Sequence, residues 1–209
     1  PLGNSQETVW QSCETGRSGI TRVTKFDPTH FRSQIAGEIK DFQKPSIVPH
    51  KEVKKMDQFA LYAIAATEQA LAQSGLVIDE NNQDDIGVSI GVGMGGILSI
   101  EHGSSALFKQ GPGRISPFFI PSILPNMAAG QISIFFGTRG YNACISSACA
   151  SSNHAIGDAT RMIQRGESKV MLAGGAEAGV TQLAMGGFAS MRALSTRNDD
   201  PEHASRPYD

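Results

Sequence analysis

The chain has 209 residues, a formal net charge of −2 at pH 7 and 40% hydrophobic residues. Such a length suits one large domain or two small ones and can bury a core without disulfides or structural metals. The near-neutral charge gives no indication of a nucleic acid or an anionic membrane as partner, and since no apolar run reaches about 18 residues we expect no membrane span.

The cysteines are sparse and odd in number: Cys13, Cys144 and Cys149. Such a set is not typical of a secreted disulfide framework, and no pair has the spacing of a metal-binding CxxC motif. We therefore expect a reducing compartment, by default the cytoplasm, although a plastid or mitochondrial matrix protein without its transit peptide would look the same. The chain begins at Pro1 without a methionine and ends at Asp209 in a polar segment, so we interpret it as a piece of a longer protein.

The first 55 residues are polar and predict mostly irregular structure. A short helix is predicted over residues 29–40, and Pro45 and Pro49 interrupt the segment that follows. Residues 56–75 place apolar side chains on a broad helical stripe that ends at Gly75, which favours a long helix.

Strands and helices are predicted to alternate along the rest of the chain. Short strands are predicted at residues 85–93, 141–146 and 169–174, and the first two are expected to be buried. Helices are predicted at residues 125–136, where proline fits the first turn, and at 150–165. The predicted buried face of the second helix comprises Ala155, Ile156, Ala159, Met162 and Ile163. This alternation favours parallel βαβ units, so the predicted fold class is α/β.

The segment ISSACASSNH, residues 145–154, places Cys149 between a predicted strand and the start of a helix. A thiol at a helix N-terminus lies near the positive end of the helix dipole, which favours the nucleophilic thiolate. The neighbours Ala148, Ala150 and Ser151 are small enough to leave the sulfur accessible, and the backbone N–H of the cysteine is a candidate oxyanion donor. From position alone, an inert structural cysteine remains the alternative.

Longer motifs resemble the β-ketoacyl-[acyl carrier protein] synthases, in particular the elongating type II enzymes of fatty-acid synthesis. The resemblance covers essentially the whole chain, in the family's order and spacing. The motifs are PLG (1–3), KKMDQFALYA (54–63), GVGMGGI (91–97), GPGRISPFFIPSILPNMAAG (111–130), SSACASSNHAIGDA (146–159), VMLAGGAEA (170–178) and GFASMRALSTRNDDPEHASRPYD (187–209).

The resemblance implies a thiolase-like α/β fold, with a mixed sheet and helices on both of its faces, in a five-layered αβαβα architecture built from two similar halves. Residues 1–209 would be the N-terminal β-ketoacyl synthase domain, truncated at both ends and without the family's first strand. The family's two catalytic histidines, its lysine and its second oxyanion donor belong to the other half. We therefore expect the chain alone to lack condensing activity.

The resemblance also implies roles for single residues. Cys149 matches the nucleophile that takes the acyl group from acyl carrier protein as a thioester. Met94 matches the gate residue of the acyl pocket, and Phe188 matches a residue that lines this pocket near the cysteine. Phe119 and Ile120 match residues that enter the acyl pocket of the neighbouring subunit. Ordinary core packing remains the alternative for Met94, Phe119 and Ile120.

A basic patch precedes the predicted helix 56–75. Lys51, Lys54 and Lys55 match the family's docking patch for the acidic carrier protein, with Arg192 as a further candidate, and a cationic patch steers an anionic partner. The alternative is a solvated helix end. The resemblance further implies a homodimer, and neither a metal nor an organic cofactor.

Histidines of the chain itself do not match the catalytic ones by motif. We expect His154 to be a packing residue, and the other four to be exposed: His30, His50, His102 and His203. Other functions remain open: a polyketide ketosynthase, a coenzyme A-dependent thiolase, a non-catalytic chain-length-factor-like partner, and a short product used for binding or dimerisation. Cys149 argues against the non-catalytic partner, which lacks the active-site cysteine.

Overall fold

The computed structural model describes residues 1–208, and its contacts divide the chain into unit 1 (Pro1–Gln43 and Gly179–Asp209) and unit 2 (Lys44–Ala178). The helices are α1 (Gln6–Glu14), α2 (His50–Val53), α3 (Gln58–Ser74), α4 (Ile97–Gln110), α5 (Phe119–Ile123), α6 (Met127–Phe136), α7 (Ser151–Gln164) and α8 (Gln182–Ser190). The strands are β1 (Ile20–Arg22), β2 (Ile35–Gly37), β3 (Ile86–Gly91), β4 (Asn142–Ile145) and β5 (Val170–Gly175).

Unit 2 is built on a parallel sheet with the strand order β4-β3-β5. In its register, Ile90 of β3 lies opposite Cys144 on one side and Gly174 on the other. Every residue of β3 is buried, as expected for the central strand of a parallel sheet that is covered on both faces. Helix α7 packs on all three strands, α6 packs on β3 and β4, and α3 packs on α6.

Glycines bring the start of α7 onto the sheet. A β-carbon on Gly91, the last residue of β3, would collide with the backbone of Ser151 in the first turn of α7. A β-carbon on Gly175, the last residue of β5, would lie 2.6 Å from the Ser152 Cβ. The ends of the two strands therefore carry no side chains on this face, which lets the first turn of α7 pack directly against the backbone of the sheet.

The predicted helix 56–75 is confirmed as α3. Asp57 caps it by accepting a hydrogen bond from the Phe59 N–H (3.4 Å), and Gly75 ends it in the left-handed conformation at φ 70°. The other carboxylate oxygen of Asp57 accepts the Ser99 N–H of α4 at 2.8 Å. Since Phe59 and Ile64 are fully buried, the helix is held by its apolar face and by both of its caps.

Prediction and structure differ most in unit 1. The helix predicted over residues 29–40 is wrong, because Ile35–Gly37 forms β2 and pairs antiparallel with β1. A tertiary contact stabilises this extended chain, since the Gln34 N–H donates to the Asn198 side chain at 2.8 Å. The expectation of an irregular N-terminus is also wrong over Gln6–Glu14, where α1 begins with a capping box formed by Ser5 and Thr8.

The remaining predicted elements of unit 2 are confirmed, with their ends moved by at most two residues. The predicted burial of the strand at residues 141–146 is wrong, because β4 lies at the edge of the sheet and none of its residues is buried. They are observed as β3, α6, β4, α7 and β5. The predicted buried face of α7 is correct for Ala155, Ala159 and Met162, whereas Ile156 and Ile163 are exposed. The sequence prediction also missed α4 and α8, both of which contain glycines. Within residues 1–208, no helix combines the length and the apolarity that crossing a membrane requires.

Candidate active site

Three loops of unit 2 follow β3, β4 and β5. Because these strands are parallel, the loops leave the sheet at the same edge. They carry Met94, Cys149 and Glu177 respectively. Ligands of α/β proteins bind at the carboxyl ends of the strands, so two residues predicted from the sequence, Met94 and Cys149, lie at the edge of the sheet where a site is expected.

Cys149 is exposed and lies on the short turn between β4 and α7. The residue before it, Ala148, has φ 53°, in the left-handed region. This conformation costs a residue with a β-carbon about 1–2 kcal/mol. Such strain persists only where the surroundings enforce it, and it is concentrated at functional sites.

Ser151 fixes the strained turn. Its hydroxyl oxygen accepts the Ser147 N–H at 2.9 Å, and its hydroxyl donates to the Ala148 carbonyl at 2.6 Å. The Ser151 N–H donates to the same carbonyl at 3.1 Å. The first residue of α7 therefore binds both residues that precede Cys149, so the orientation of the cysteine is coupled to the start of the helix.

A histidine also contacts this turn. The Ser147 hydroxyl and the His154 Nδ1 lie 2.7 Å apart, and the imidazole is exposed. The prediction of His154 as a packing residue is therefore wrong, because the first turn of α7 directs the ring back towards Ser147. The other four histidines are exposed, as predicted.

Glu177 is a residue of this edge that the sequence prediction missed. One of its carboxylate oxygens, Oε2, accepts the backbone N–H groups of Gly93 and Met94 at 3.0 and 2.7 Å. The sequence did contain a signal, because LAGGAEA places a single carboxylate just after a predicted parallel strand. Charged groups at this position are candidates for a site.

The loop after β3 borders the cysteine turn. A β-carbon on Gly93 would lie 3.6 Å from the Ala148 carbonyl oxygen, so the two loops are in contact. Met94, the next residue, is half-buried. Its role as a gate of an acyl pocket stays a prediction.

The other two cysteines differ from Cys149 in their surroundings. Cys144 is half-buried on β4, and burial, together with the negative charge of Glu177, raises the pKa of its thiol. Cys13 is exposed on α1 in unit 1. Among residues 1–208, no group of three or more His, Cys, Asp or Glu side chains is arranged to hold a metal ion.

The three lysines of the predicted basic patch differ in their contacts. Lys51 and Lys54 are exposed at α2 and just after it. Lys55 forms an ion pair with Glu52 at 2.8 Å, and its Nζ lies 5.1 Å from the ring centre of Phe118. Lys51 and Lys54 are therefore more available to a partner than Lys55, whose ammonium group already contacts Glu52 and Phe118 of its own chain.

Two further predicted residues lie on α5. Phe119 is half-buried, with its ring packed so closely on α4 that a β-carbon on Gly103 would collide with it. Together with Lys54 it lines a cleft of about 450 Å³. Ile120 is 59% exposed. An exposed isoleucine is compatible with insertion into another subunit, but this role stays a prediction for both residues.

Phe188 and Arg192 belong to unit 1. Phe188 lies on α8 and lines a cavity of about 560 Å³ with Ile35, Met185 and Leu194. Arg192 is exposed just after α8, and its φ of 59° is in the left-handed region. Their predicted roles, in the acyl pocket and in carrier binding, stay predictions.

Comparisons with known proteins agree with this geometry. The chain is 47% identical to 3-oxoacyl-[acyl-carrier-protein] synthase 2 of Synechocystis over 209 residues, 49% identical to that of Vibrio harveyi over 209 residues, and 42% identical to that of Staphylococcus aureus over 208 residues. Each alignment covers the whole chain and 50%, 50% and 51% of the relative, respectively. The chain therefore spans about half the length of the curated relatives it matches.

Solved structures share the fold. A β-ketoacyl synthase from Burkholderia phymatum superposes with a TM-score of 0.87 and 31% identity, covering 100% of this chain and 51% of that one. The ishigamide ketosynthase/chain length factor superposes with a TM-score of 0.85 and 26% identity, covering 93% of this chain and 48% of that one. The third structure is the AntDE:AntF complex, a type II polyketide acyl carrier protein with its hexaketide-bound ketosynthase. It superposes with a TM-score of 0.70 and 27% identity, covering 76% of this chain and 46% of that one. The predicted thiolase-like α/β fold is thus confirmed.

The family model described as "Beta-ketoacyl synthase, N-terminal domain" matches residues 1–209, the full length of the sequence. Fold, relatives and an exposed cysteine on a strained strand-to-helix turn agree. The chain belongs to the β-ketoacyl synthase family.

Proposed function

We propose that residues 1–209 are the N-terminal domain of a longer condensing enzyme of fatty-acid elongation, a 3-oxoacyl-[acyl carrier protein] synthase whose nucleophile is Cys149. One observation carries this proposal. Cys149 is exposed at the carboxyl edge of a parallel sheet, on a turn strained at Ala148 and held by Ser151. The names of the curated relatives supply the substrate class.

In the first half-reaction, the Cys149 thiolate attacks the thioester carbonyl of acyl-[acyl carrier protein]. The new C–S bond forms a tetrahedral oxyanion, which collapses and expels the thiol of the carrier. The Cys149 N–H is the oxyanion donor that this chain supplies. A second donor comes from the part of the relatives that the chain does not span.

In the second half-reaction, malonyl-[acyl carrier protein] loses CO2 and the resulting carbanion attacks the acyl carbon held on Cys149. A C–C bond forms, the Cys149 thiolate leaves, and the product is a 3-oxoacyl-[acyl carrier protein] two carbons longer. Acid catalysis and enolate stabilisation come from the second half of the enzyme, so the domain alone acylates at most and does not condense.

The acyl chain, in this proposal, lies against Met94 of its own subunit and against Phe119 and Ile120 of the partner in a homodimer. Phe188, in unit 1, is a separate candidate for contact with the acyl chain. The 59% exposure of Ile120 supports an unfilled contact of this kind. Lys51, Lys54 and Lys55 receive the acidic carrier protein, and Arg192, in unit 1, is a separate candidate contact. The exposed lysines support this step, as does the carrier-bound state of the similar AntDE:AntF structure.

A polyketide ketosynthase is the second candidate, because two of the similar solved structures come from polyketide systems. Identity to those structures is 26–27%, whereas identity to the fatty-acid enzymes is 42–49%. The fatty-acid function is therefore the better supported. The product separates the two, since a single two-carbon extension is expected here and repeated extension of an unreduced chain is expected of a polyketide enzyme.

The direct test is acylation of the full-length gene product. Wild-type, Cys149→Ala and Cys144→Ala proteins are incubated with hexadecanoyl-[acyl carrier protein], and the acyl adduct is located by intact-mass and peptide-mass spectrometry. Adducts are expected on the wild type and on Cys144→Ala, and none on Cys149→Ala. An undiminished adduct on Cys149→Ala would overturn the assignment of the nucleophile.

A further inference from the structure

We propose that Glu177 is a positioning residue of the acyl-chain gate. Its carboxylate holds the backbone of Gly93 and Met94 and thereby fixes where the Met94 side chain stands, so Glu177 contributes to the choice of acyl-chain length. This inference rests on the proposed function, because it takes Met94 as part of the acyl pocket.

The contact itself is specific. One carboxylate oxygen, Oε2, receives two consecutive backbone N–H groups, those of Gly93 and Met94, at 3.0 and 2.7 Å. Consecutive N–H groups that converge on one anion form a nest, and hydrogen bonds to an ionised acceptor are about twice as strong as neutral ones. The partners are separated by 84 and 83 residues in sequence, so the contact joins the loop after β5 to the loop after β3.

Residue 93 leaves room for this contact because it is a glycine. A β-carbon on Gly93 would lie 3.0 Å from Glu177 Oε2, tighter than most packing contacts, so the carboxylate would have to shift by a few tenths of an ångström. The carboxylate therefore approaches the backbone through the space that the absent side chain leaves. Gly93 and Glu177 form a matched pair, in which the glycine gives access and the carboxylate binds.

The loop is also anchored on the other side of Met94. Gly95 has φ 80°, and a β-carbon on Gly96 would collide with the Ser122 carbonyl. The Gly96 N–H donates to the Ile123 carbonyl at 3.3 Å. With Glu177 on one side and this close backbone contact on the other, the Cα of Met94 has little freedom, although its thioether chain is flexible.

Glu177 is itself exposed, so we expect its removal to change the position of the loop more than the stability of the domain. Loss of the carboxylate frees the N–H groups of Gly93 and Met94 to bind water, and the loop relaxes. Displacing one methyl-sized group in an apolar pocket changes discrimination between substrates by about 10-fold or more. Selectivity is therefore the sensitive readout.

The test measures kcat/KM of the full-length gene product for octanoyl and hexadecanoyl carrier-protein thioesters. Glu177→Ala is expected to change the ratio of the two values by about 10-fold, and Glu177→Gln, whose amide oxygen still accepts a hydrogen bond, by less. Glu167→Gln is the matched control, since Glu167 is an exposed carboxylate of unit 2 that pairs with Arg165 at 2.8 Å. The control is expected to leave the ratio unchanged.

A double-mutant cycle identifies the route of the effect. If Glu177 acts through Met94, then Glu177→Ala changes the ratio in the wild type but not in a Met94→Ala background. An equal change in both backgrounds, or an unchanged ratio in a folded Glu177→Ala protein, would overturn the inference. If Glu177→Ala does not fold, Glu177→Asp serves in its place. Its side chain is shorter by one methylene and is expected to pull the loop after β3 towards β5, so the same ratio of kcat/KM values is measured for it. Failure of the proposed function is distinct, because Cys149 would then accept neither acyl chain.

Discussion

The Ser147 hydroxyl oxygen lies 2.7 Å from Nδ1 of His154, which connects the residue two positions before Cys149 to the first turn of α7. With the two hydrogen bonds of Ser151, this contact closes the strained turn at Ala148. The proposed nucleophile, Cys149, is thus oriented by a hydrogen-bonded turn that residues of this chain form by themselves.

We therefore predict that His154→Leu lowers the rate of Cys149 acylation at saturating acyl donor by about 3–10-fold, since one hydrogen bond contributes about 0.5–1.5 kcal/mol. KM is expected to change little. His154→Asn, whose side-chain amide reaches the position of Nδ1, is expected to restore most of the rate, whereas His154→Gln is not. Stopped-flow acylation measures the rate, and equal rates for the Leu and wild-type proteins would contradict the prediction.

Gly91→Ala is expected to be damaging. The added β-carbon meets the Ser151 backbone, so α7 has to lift from the sheet, and overpacking of this kind costs about 1–3 kcal/mol. The free energy of unfolding in urea and the rate of Cys149 alkylation are both expected to fall. Gly157→Ala is the matched control, because a β-carbon added there would meet no atom within 4 Å; alanine in mid-helix stabilises by about 0.5–1 kcal/mol.

Glu38 predicts a pH dependence of stability in unit 1. Burial alone would raise the pKa of this carboxyl, but hydrogen bonds from the Thr24 hydroxyl (2.8 Å) and from the Thr24 and Lys25 N–H groups outweigh burial and lower it. Because the pKa of this carboxyl is lower in the folded state than in the unfolded state, its ionisation stabilises the fold at pH values above the unfolded-state pKa. This contribution is lost as the pH falls through the folded pKa.

Glu38→Gln is accordingly expected to lower the free energy of unfolding by about 2 kcal/mol at pH 7 and to flatten its decline in acid. Urea unfolding at pH 7, 5 and 4 measures both effects. Glu80→Gln, at an exposed position, is the control. A variant that keeps the acid sensitivity of the wild type would show that another carboxylate is responsible.

The lysines predict an ionic-strength dependence of carrier binding. Lys51→Glu and Lys54→Glu are each expected to raise the KM for acyl-[acyl carrier protein] by about 3–10-fold at low salt, with a smaller effect at high salt, because electrostatic steering is screened. The kcat is expected to stay within about twofold. Lys109→Glu, an exposed lysine in the last turn of α4, is the control, and an equal effect of that variant would refute a local patch.

Local sequence determined the elements whose signals are short in range. The apolar period of residues 56–75 and the left-handed Gly75 define α3, a short β-branched run defines β3, and short runs of apolar and small residues define β4 and β5. The strand–cysteine–helix order around Cys149 also follows from neighbouring residues alone. Each of these features depends on interactions within a few positions, so the pattern of side chains carries it.

Tertiary structure decided the features that join distant residues. The Gln34 backbone binds Asn198, 164 positions away, and this contact accompanies strand structure where local sequence favoured helix. The carboxylate of Glu177 reaches Met94 across 83 positions, and Ala148 is held in a conformation that no alanine prefers. Such contacts leave no periodic pattern in the sequence, because they are stabilised by residues that come together only when the chain has folded.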